Sequence, residues 1–110
     1  MKSILTALLA LATMLFGLTQ PALADTSLGA KVFNANCAAC HAGGINVVMA
    51  PKNLKQEALK QYGMDSVEAI SNQVRNGKNV MPAFKSKLSE EEIAAVADYV
   101  LAQADKGWKK

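Results

Sequence analysis

Cys37-Ala38-Ala39-Cys40-His41 decides how this chain is read. A Cys-x-x-Cys-His run is the attachment pattern of a c-type haem. Two residues between the cysteines let both sulfurs reach one porphyrin edge, each adding across one vinyl group. The adjacent histidine then lies under the iron and offers an imidazole nitrogen as proximal ligand. His41 is the only histidine in the chain, and Cys37 and Cys40 are its only cysteines. The other uses of such a pair are a structural disulfide, a thioredoxin-like redox couple and a zinc site. Tetrahedral zinc needs about four ligands, and one His with two Cys falls short. The motif and its context favour haem.

That context begins upstream. Lys2 gives a short positive start, Ile4 to Leu18 is almost wholly apolar, and Ala22-Leu23-Ala24 is a small-x-small cleavage site. This is the pattern of a secretory signal peptide. The apolar run is shorter than the about 20 residues a membrane-spanning helix needs. Cleavage is expected after Ala24, so that residues 1–24 are a leader and residues 25–110 form one domain. Export and the haem motif support each other, because c-type haem is attached on the far side of the membrane from its synthesis.

The full chain has 12 Lys and Arg against 9 Asp and Glu, for a net charge of +3. Losing Lys2 with the leader lowers this to +2, which two haem propionates offset. Nothing here favours nucleic-acid binding. A domain this short builds only a modest core, and a buried porphyrin would enlarge it.

The domain reads as all-α, with four helices and no strand. Thr26 or Ser27 caps a first helix running to about Asn36, with Gly29 and Phe33 stacked on one face. Gly29 inside a helix suggests close approach of another backbone, since glycine there costs about 1 kcal/mol relative to alanine. Gly43-Gly44 breaks the chain after His41, and Ile45 to Pro51 forms an apolar loop. A second helix is expected from Asn53 to Tyr62, with Gln56 placed for reciprocal capping and Gly63 for the stop. A third starts near Asp65 or Ser66 and ends at Asn76-Gly77, with Met64 as a hydrophobic staple. The fourth opens at Ser89-Glu90-Glu91-Glu92 with a capping box and carries an apolar stripe from Ile93 to Ala104. Trp108, just beyond it, reads as a packing residue.

The second axial ligand separates electron transfer from ligand binding. No second histidine exists, so methionine is the natural donor, and the domain offers Met49, Met64 and Met81. Met49 is close to His41 and would need a tight wrap around the haem edge. Met64 sits where a staple is expected. Met81 lies between two helices on a loop that Pro82 restrains, which favours it. A thioether is a soft ligand that favours ferrous iron, so His41/Met81 ligation raises the reduction potential.

Three stretches carry a family resemblance: Val32 to Gly44 with the haem motif, Tyr62-Gly63-Met64, and Gln73-Val74-Arg75-Asn76-Gly77-Lys78-Asn79-Val80-Met81-Pro82-Ala83-Phe84. With Tyr99-Val100-Leu101 and Trp108 near the end, the domain resembles cytochrome c6, the mono-haem carrier of cyanobacteria and algae. The resemblance implies the class I cytochrome c fold, with about four helices wrapped around one covalently bound haem. It implies that the first and last helices cross, with Gly29, Phe33 and Tyr99 at the crossing. It implies one haem c attached through Cys37 and Cys40, with His41 and Met81 as axial ligands. Its members carry electrons in the thylakoid lumen from the cytochrome b6f complex to photosystem I. Lys87 matches a basic position involved in docking to photosystem I, and Gln73 a position that tunes the potential.

A non-enzymatic electron carrier is therefore the leading expectation. Its docking would be transient, through a small apolar patch around Cys37–Cys40 and Met81–Phe84, with Lys85 and Lys87 steering an acidic partner. A close alternative is a periplasmic cytochrome c donating to a respiratory terminal oxidase. A different class is a thiol–disulfide oxidoreductase using Cys37 and Cys40, which wants the pair in a β-α-β context. A haem-based ligand sensor would need an open iron position, which Met81 argues against.

Overall fold

Five helical segments follow one another in the computed structural model, which describes residues 21–109. They are α1 (Pro21–Asn36), α2 (Ala38–His41), α3 (Gln56–Gln61), α4 (Val67–Asn76) and α5 (Glu90–Asp105), with a 3-10 turn at Ala42–Gly44. No strand occurs among the described residues; one isolated antiparallel bridge joins Lys78 and Met81. The all-α expectation holds, with α2 as an added single turn.

Local signals set most boundaries. Ser89 Oγ accepts from Glu92 N, and Glu92 Oε1 accepts from Ser89 N, closing the capping box of α5. Ser66 Oγ accepts from Ala69 N at 3.1 Å and starts α4. Two helices end in the same device. Gly63 and Gly107 have φ of 68° and 69°. Met64 N donates to Leu59 O and Trp108 N to Gln103 O, each six residues back inclusive, beside the shorter bonds of Gly63 and Gly107. These are Schellman caps. They return Met64 and Trp108 to the core cluster, against which both pack.

Three expectations change. α1 is already helical at Pro21, where the described residues begin, so Thr26 and Ser27 lie inside it and do not cap it; the alanines and leucine around them favour helix. The leader expected over residues 1–24 lies outside the described residues as far as position 20. α3 begins at Gln56, not Asn53, because Asn53 Oδ1 accepts from Lys55 N at 2.9 Å in a local turn, and no side chain caps the helix. Met64 is the residue after the α3 glycine cap, whereas a staple before the Ser66 cap would fall at Asp65.

The core forms where α1 crosses α5, with α4 packed on α5. Val32, Phe33, Ile70, Val74, Ile93, Val96 and Val100 are buried together, Ile93 and Ala97 completely. A Cβ on Gly29 would strike the Ala95 carbonyl oxygen and lie 2.7 Å from Tyr99 Cβ. The crossing is thus as close as two backbones allow.

Ser71 is the exception in this core. It is 8% exposed, and its hydroxyl has no hydrogen-bond partner. An unpaired buried polar group costs about 1–3 kcal/mol. Ser71→Ala is therefore expected to stabilise the protein by about 1 kcal/mol, raising the Tm by roughly 4–8 °C in thermal melts.

Candidate functional site

The Cys-x-x-Cys-His run leaves α1 without a break in hydrogen bonding. Cys37 N donates to Phe33 O at 2.8 Å, and His41 N donates to Cys37 O at 2.9 Å. Cys37 is half-buried, Cys40 is exposed, and the two are not joined. Burial pushes the Cys37 thiol up to about 11. A disulfide-exchange nucleophile needs the opposite shift, toward thiolate, and among the described residues it is a helix, not a strand, that precedes the pair. Cys37 is therefore a poor nucleophile for thiol–disulfide exchange. No cluster of three His, Cys, Asp or Glu suited to a metal occurs among the described residues, which disfavours zinc.

His41 is oriented by the loop that follows it. Its Nδ1 lies 2.9 Å from Ile45 O. A carbonyl only accepts, so Nδ1 carries the proton and Nε2 presents its lone pair. Ile45 is held in place by its neighbours: Val47 N donates to Cys40 O at 3.1 Å and Leu54 N to Gly44 O at 2.8 Å. Asn46 organises the rest of this loop. Its Oδ1 accepts from Val48 N and Met49 N, and its Nδ2 donates to Lys52 O.

Trp108 supports the same segment from behind. Its indole N–H donates to Leu54 O at 3.0 Å. The ring covers Gly44, where a Cβ would lie 2.5 Å from it, and it packs 5.3 Å from Phe33 and 6.2 Å from Tyr99. Sequence reasoning placed Trp108 only as a packing residue. Its partners lie too far along the chain to be read from spacing.

Met81 sits on the loop between α4 and α5. Lys78 N donates to Met81 O at 3.0 Å and Met81 N to Lys78 O at 2.9 Å, with Asn79 at φ 56° in the turn. A Cβ on Gly77 would lie 2.6 Å from Met81 O and 2.8 Å from Ala83 N, so glycine lets the loop fold back on itself. Met81 is half-buried against the core cluster on which Cys37 also packs. Gln73 Nε2 points at its sulfur, at 3.7 Å. Of the other methionines, Met64 belongs to the α3 cap and Met49 is 46% exposed.

Two unpaired thiols, an imidazole with its distal nitrogen free and a restrained thioether make a donor set that suits a c-type haem. The soft sulfur and the imidazole are the ligand types that hold haem iron. Around them lie exposed apolar residues: Ile45, Val47 and Val48 on one loop, and Val80, 72% exposed, on the other. Lys85 and Lys87 are both exposed, and Lys87 Nζ stands 5.9 Å from the Phe84 ring centre.

Comparison with known proteins gives consistent matches. The family model described as "Cytochrome C oxidase, cbb3-type, subunit III" matches residues 24–100. A cytochrome c6 of Synechococcus sp. is 60% identical over 110 residues, 98% of each chain. A cytochrome c6 of Parathermosynechococcus lividus is 64% identical over 85 residues, covering 77% of this chain and 98% of that one. The solved cytochrome c6 of the diatom Phaeodactylum tricornutum is 58% identical, with a TM-score of 0.74 over 76% of this chain and 98% of that one.

Proposed function

Since the chain belongs to the cytochrome c6 family, we propose that it carries single electrons from the cytochrome b6f complex to photosystem I in the thylakoid lumen. Membership makes it an electron carrier with one covalently attached haem c; the route, the ligands and the compartment are our reading. Cys37 and Cys40 hold the porphyrin through thioethers, and His41 and Met81 ligate the iron. Residues 1–24 are removed on export. The Parathermosynechococcus lividus relative supports this, since an 85-residue match spans 98% of it. Among the described residues, no helix is long and apolar enough to cross a membrane.

The observation that carries the reading is the placement of Met81. Its backbone is closed into a turn with Lys78, and the residue packs against the core cluster that Cys37 also touches. A ligand held there leaves no open coordination position, which suits a carrier and not a gas sensor or a peroxidase. When bound, the haem supplies a one-electron ferrous–ferric couple. The protein holds its geometry across that change. The Ile45 carbonyl fixes the His41 ring, and the Lys78–Met81 turn limits the motion of the sulfur.

Gln73 adjusts the donor strength. Its N–H draws density from the Met81 sulfur, which weakens donation to ferric iron more than to ferrous. Gln73→Leu is therefore expected to lower the reduction potential. Loss of a hydrogen bond of about 1 kcal/mol corresponds to roughly 40 mV for one electron, readable by redox titration.

Flash kinetics test the route. Added reduced protein is expected to re-reduce photo-oxidised photosystem I at a rate that rises with its concentration and changes with ionic strength. An absent reaction with photosystem I, beside rapid oxidation by a terminal oxidase, would favour the respiratory alternative. The description of the matching family model, an oxidase subunit, is what keeps that alternative in view.

A further inference from the structure

We propose that Arg75 and Glu90 form a positioning clamp that closes the neck of the Met81 loop and sets how often that methionine leaves its place. The proposal rests on the reading of Met81 as an iron ligand.

The loop leaves α4 after Asn76 and enters α5 at Glu90. Across this neck Arg75 and Glu90 meet as a fork. Arg75 Nε donates to Glu90 Oε2 at 2.9 Å, and Nη2 donates to Oε1 at 2.6 Å. The remaining arm, Nη1, donates to Asn72 Oδ1 at 2.7 Å, one turn back on α4. Both terminal nitrogens and Nε are thus engaged, and the guanidinium plane is fixed before the carboxylate arrives. Each charge also suits its helix end: a cation in the last turn of α4 and an anion in the first turn of α5.

Arg75 serves the neck twice. Its carbonyl accepts from Lys85 N at 3.3 Å, beside the Phe84 N to Val74 O bond at 2.9 Å. These two backbone rungs and the side-chain fork are what a strand-free loop has in place of a sheet. Phe84 and Leu88 anchor the returning half of the loop in the core, while Lys78, Asn79 and Val80 on the outgoing half are exposed. Met81 sits between the two halves.

Glu90 has no other duty at this helix start. The α5 cap is completed by Ser89 and Glu92, so the Glu90 carboxylate is free for the clamp. Its attraction to Arg75 acts on the separation of the two loop ends, not on either helix alone. Exposed ion pairs are weak, and bidentate pairs held by a network are the exception. The expected result is a change of about two- to fivefold in how often the loop opens.

The test uses the oxidised holoprotein, with imidazole as the competing ligand, and compares it with Glu90→Ala. Replacement of the sulfur-to-iron absorption band by imidazole should run about two- to fivefold faster in the variant. Amide exchange at Phe84 and Lys85 should accelerate by the same factor, with exchange at Val96 and Val100 in α5 unchanged. High salt, which screens exposed charge within about 3 Å at 1 M, should bring the parent to the variant's rate and leave the variant nearly unmoved. Equal rates in the two proteins, or an acceleration that spreads to Val96 and Val100, would overturn the clamp. Met81→Ala separates this from the ligand reading. If Met81 is not the ligand, imidazole binds that variant and the parent alike, and the amide-exchange comparison still judges the clamp.

Discussion

Met81→Ala is expected to abolish the sulfur-to-iron absorption band, admit imidazole to the iron without a loop-opening delay, and lower the potential by on the order of 100 mV. Axial ligand identity spans about 0.8 V among haem proteins, so a loss of that size needs no other change in the site. The fold should survive. Met81 is only half-buried, and the neighbouring anchors Phe84 and Leu88 stay in the core. The returning backbone keeps its bonds to Val74 and Arg75. Met49→Ala and Met64→Ala are the controls. Met49 is exposed, and Met64 caps α3, so neither should move the band. A Met81→Ala protein with the parent's band and potential would transfer the ligand role elsewhere.

The largest effect on stability is expected at the helix crossing. Gly29→Ala puts a methyl group against the Ala95 carbonyl oxygen and 2.7 Å from Tyr99 Cβ. Neither neighbour is the free end of a flexible side chain, so α1 and α5 must move apart. Overpacking of this kind costs about 1–3 kcal/mol, against about 1 kcal/mol regained from helix propensity. Separation also loosens the Phe33–Tyr99 contact, whose rings are 5.3 Å apart. The net loss of up to about 2 kcal/mol should lower the Tm by up to roughly 8–16 °C, and Gly29→Val should fold poorly at 37 °C. Gly107→Ala is the informative contrast. A Cβ there meets nothing within 4 Å, and the only cost is its φ of 69°. If Gly29→Ala melted no lower than Gly107→Ala, the close crossing would not be limiting stability.

What could be read from the chain alone divides along the distance between partners. The capping box of Ser89 and Glu92, the Ser66 cap and the Gly63 stop each lie within a few neighbouring residues, and each is visible in the order of residues. Gly29 was legible as a close approach from its place in a helix, and its partner Tyr99 on the last helix came only through the family resemblance. The failures are local competitions and long reaches. Asn53 looks like a helix start but spends its side chain on a turn with Lys55. Thr26 and Ser27 look like caps but lie inside a helix already under way. Asn46 reads as an ordinary loop residue, yet three hydrogen bonds of its side chain shape the loop whose first carbonyl aims His41.

Within the candidate site the proposed donors can be picked out in the sequence, and the residues that support them cannot. Cys37, Cys40, His41 and Met81 stand out by residue type and spacing. Trp108 reaches back 54 residues to Leu54, and Arg75 meets Glu90 across the neck of the Met81 loop. No periodicity encodes such pairs. Gln73 entered through resemblance, and its bond to the Met81 sulfur gives that position a physical reason.

A redox titration of the exported, haem-loaded protein, followed by visible absorption, tests the central claim most directly. The account predicts a single one-electron wave at high potential, with a sulfur-to-iron band in the oxidised form that vanishes on reduction. A low-potential wave without that band, or a titration carried only by two thiols, would contradict it.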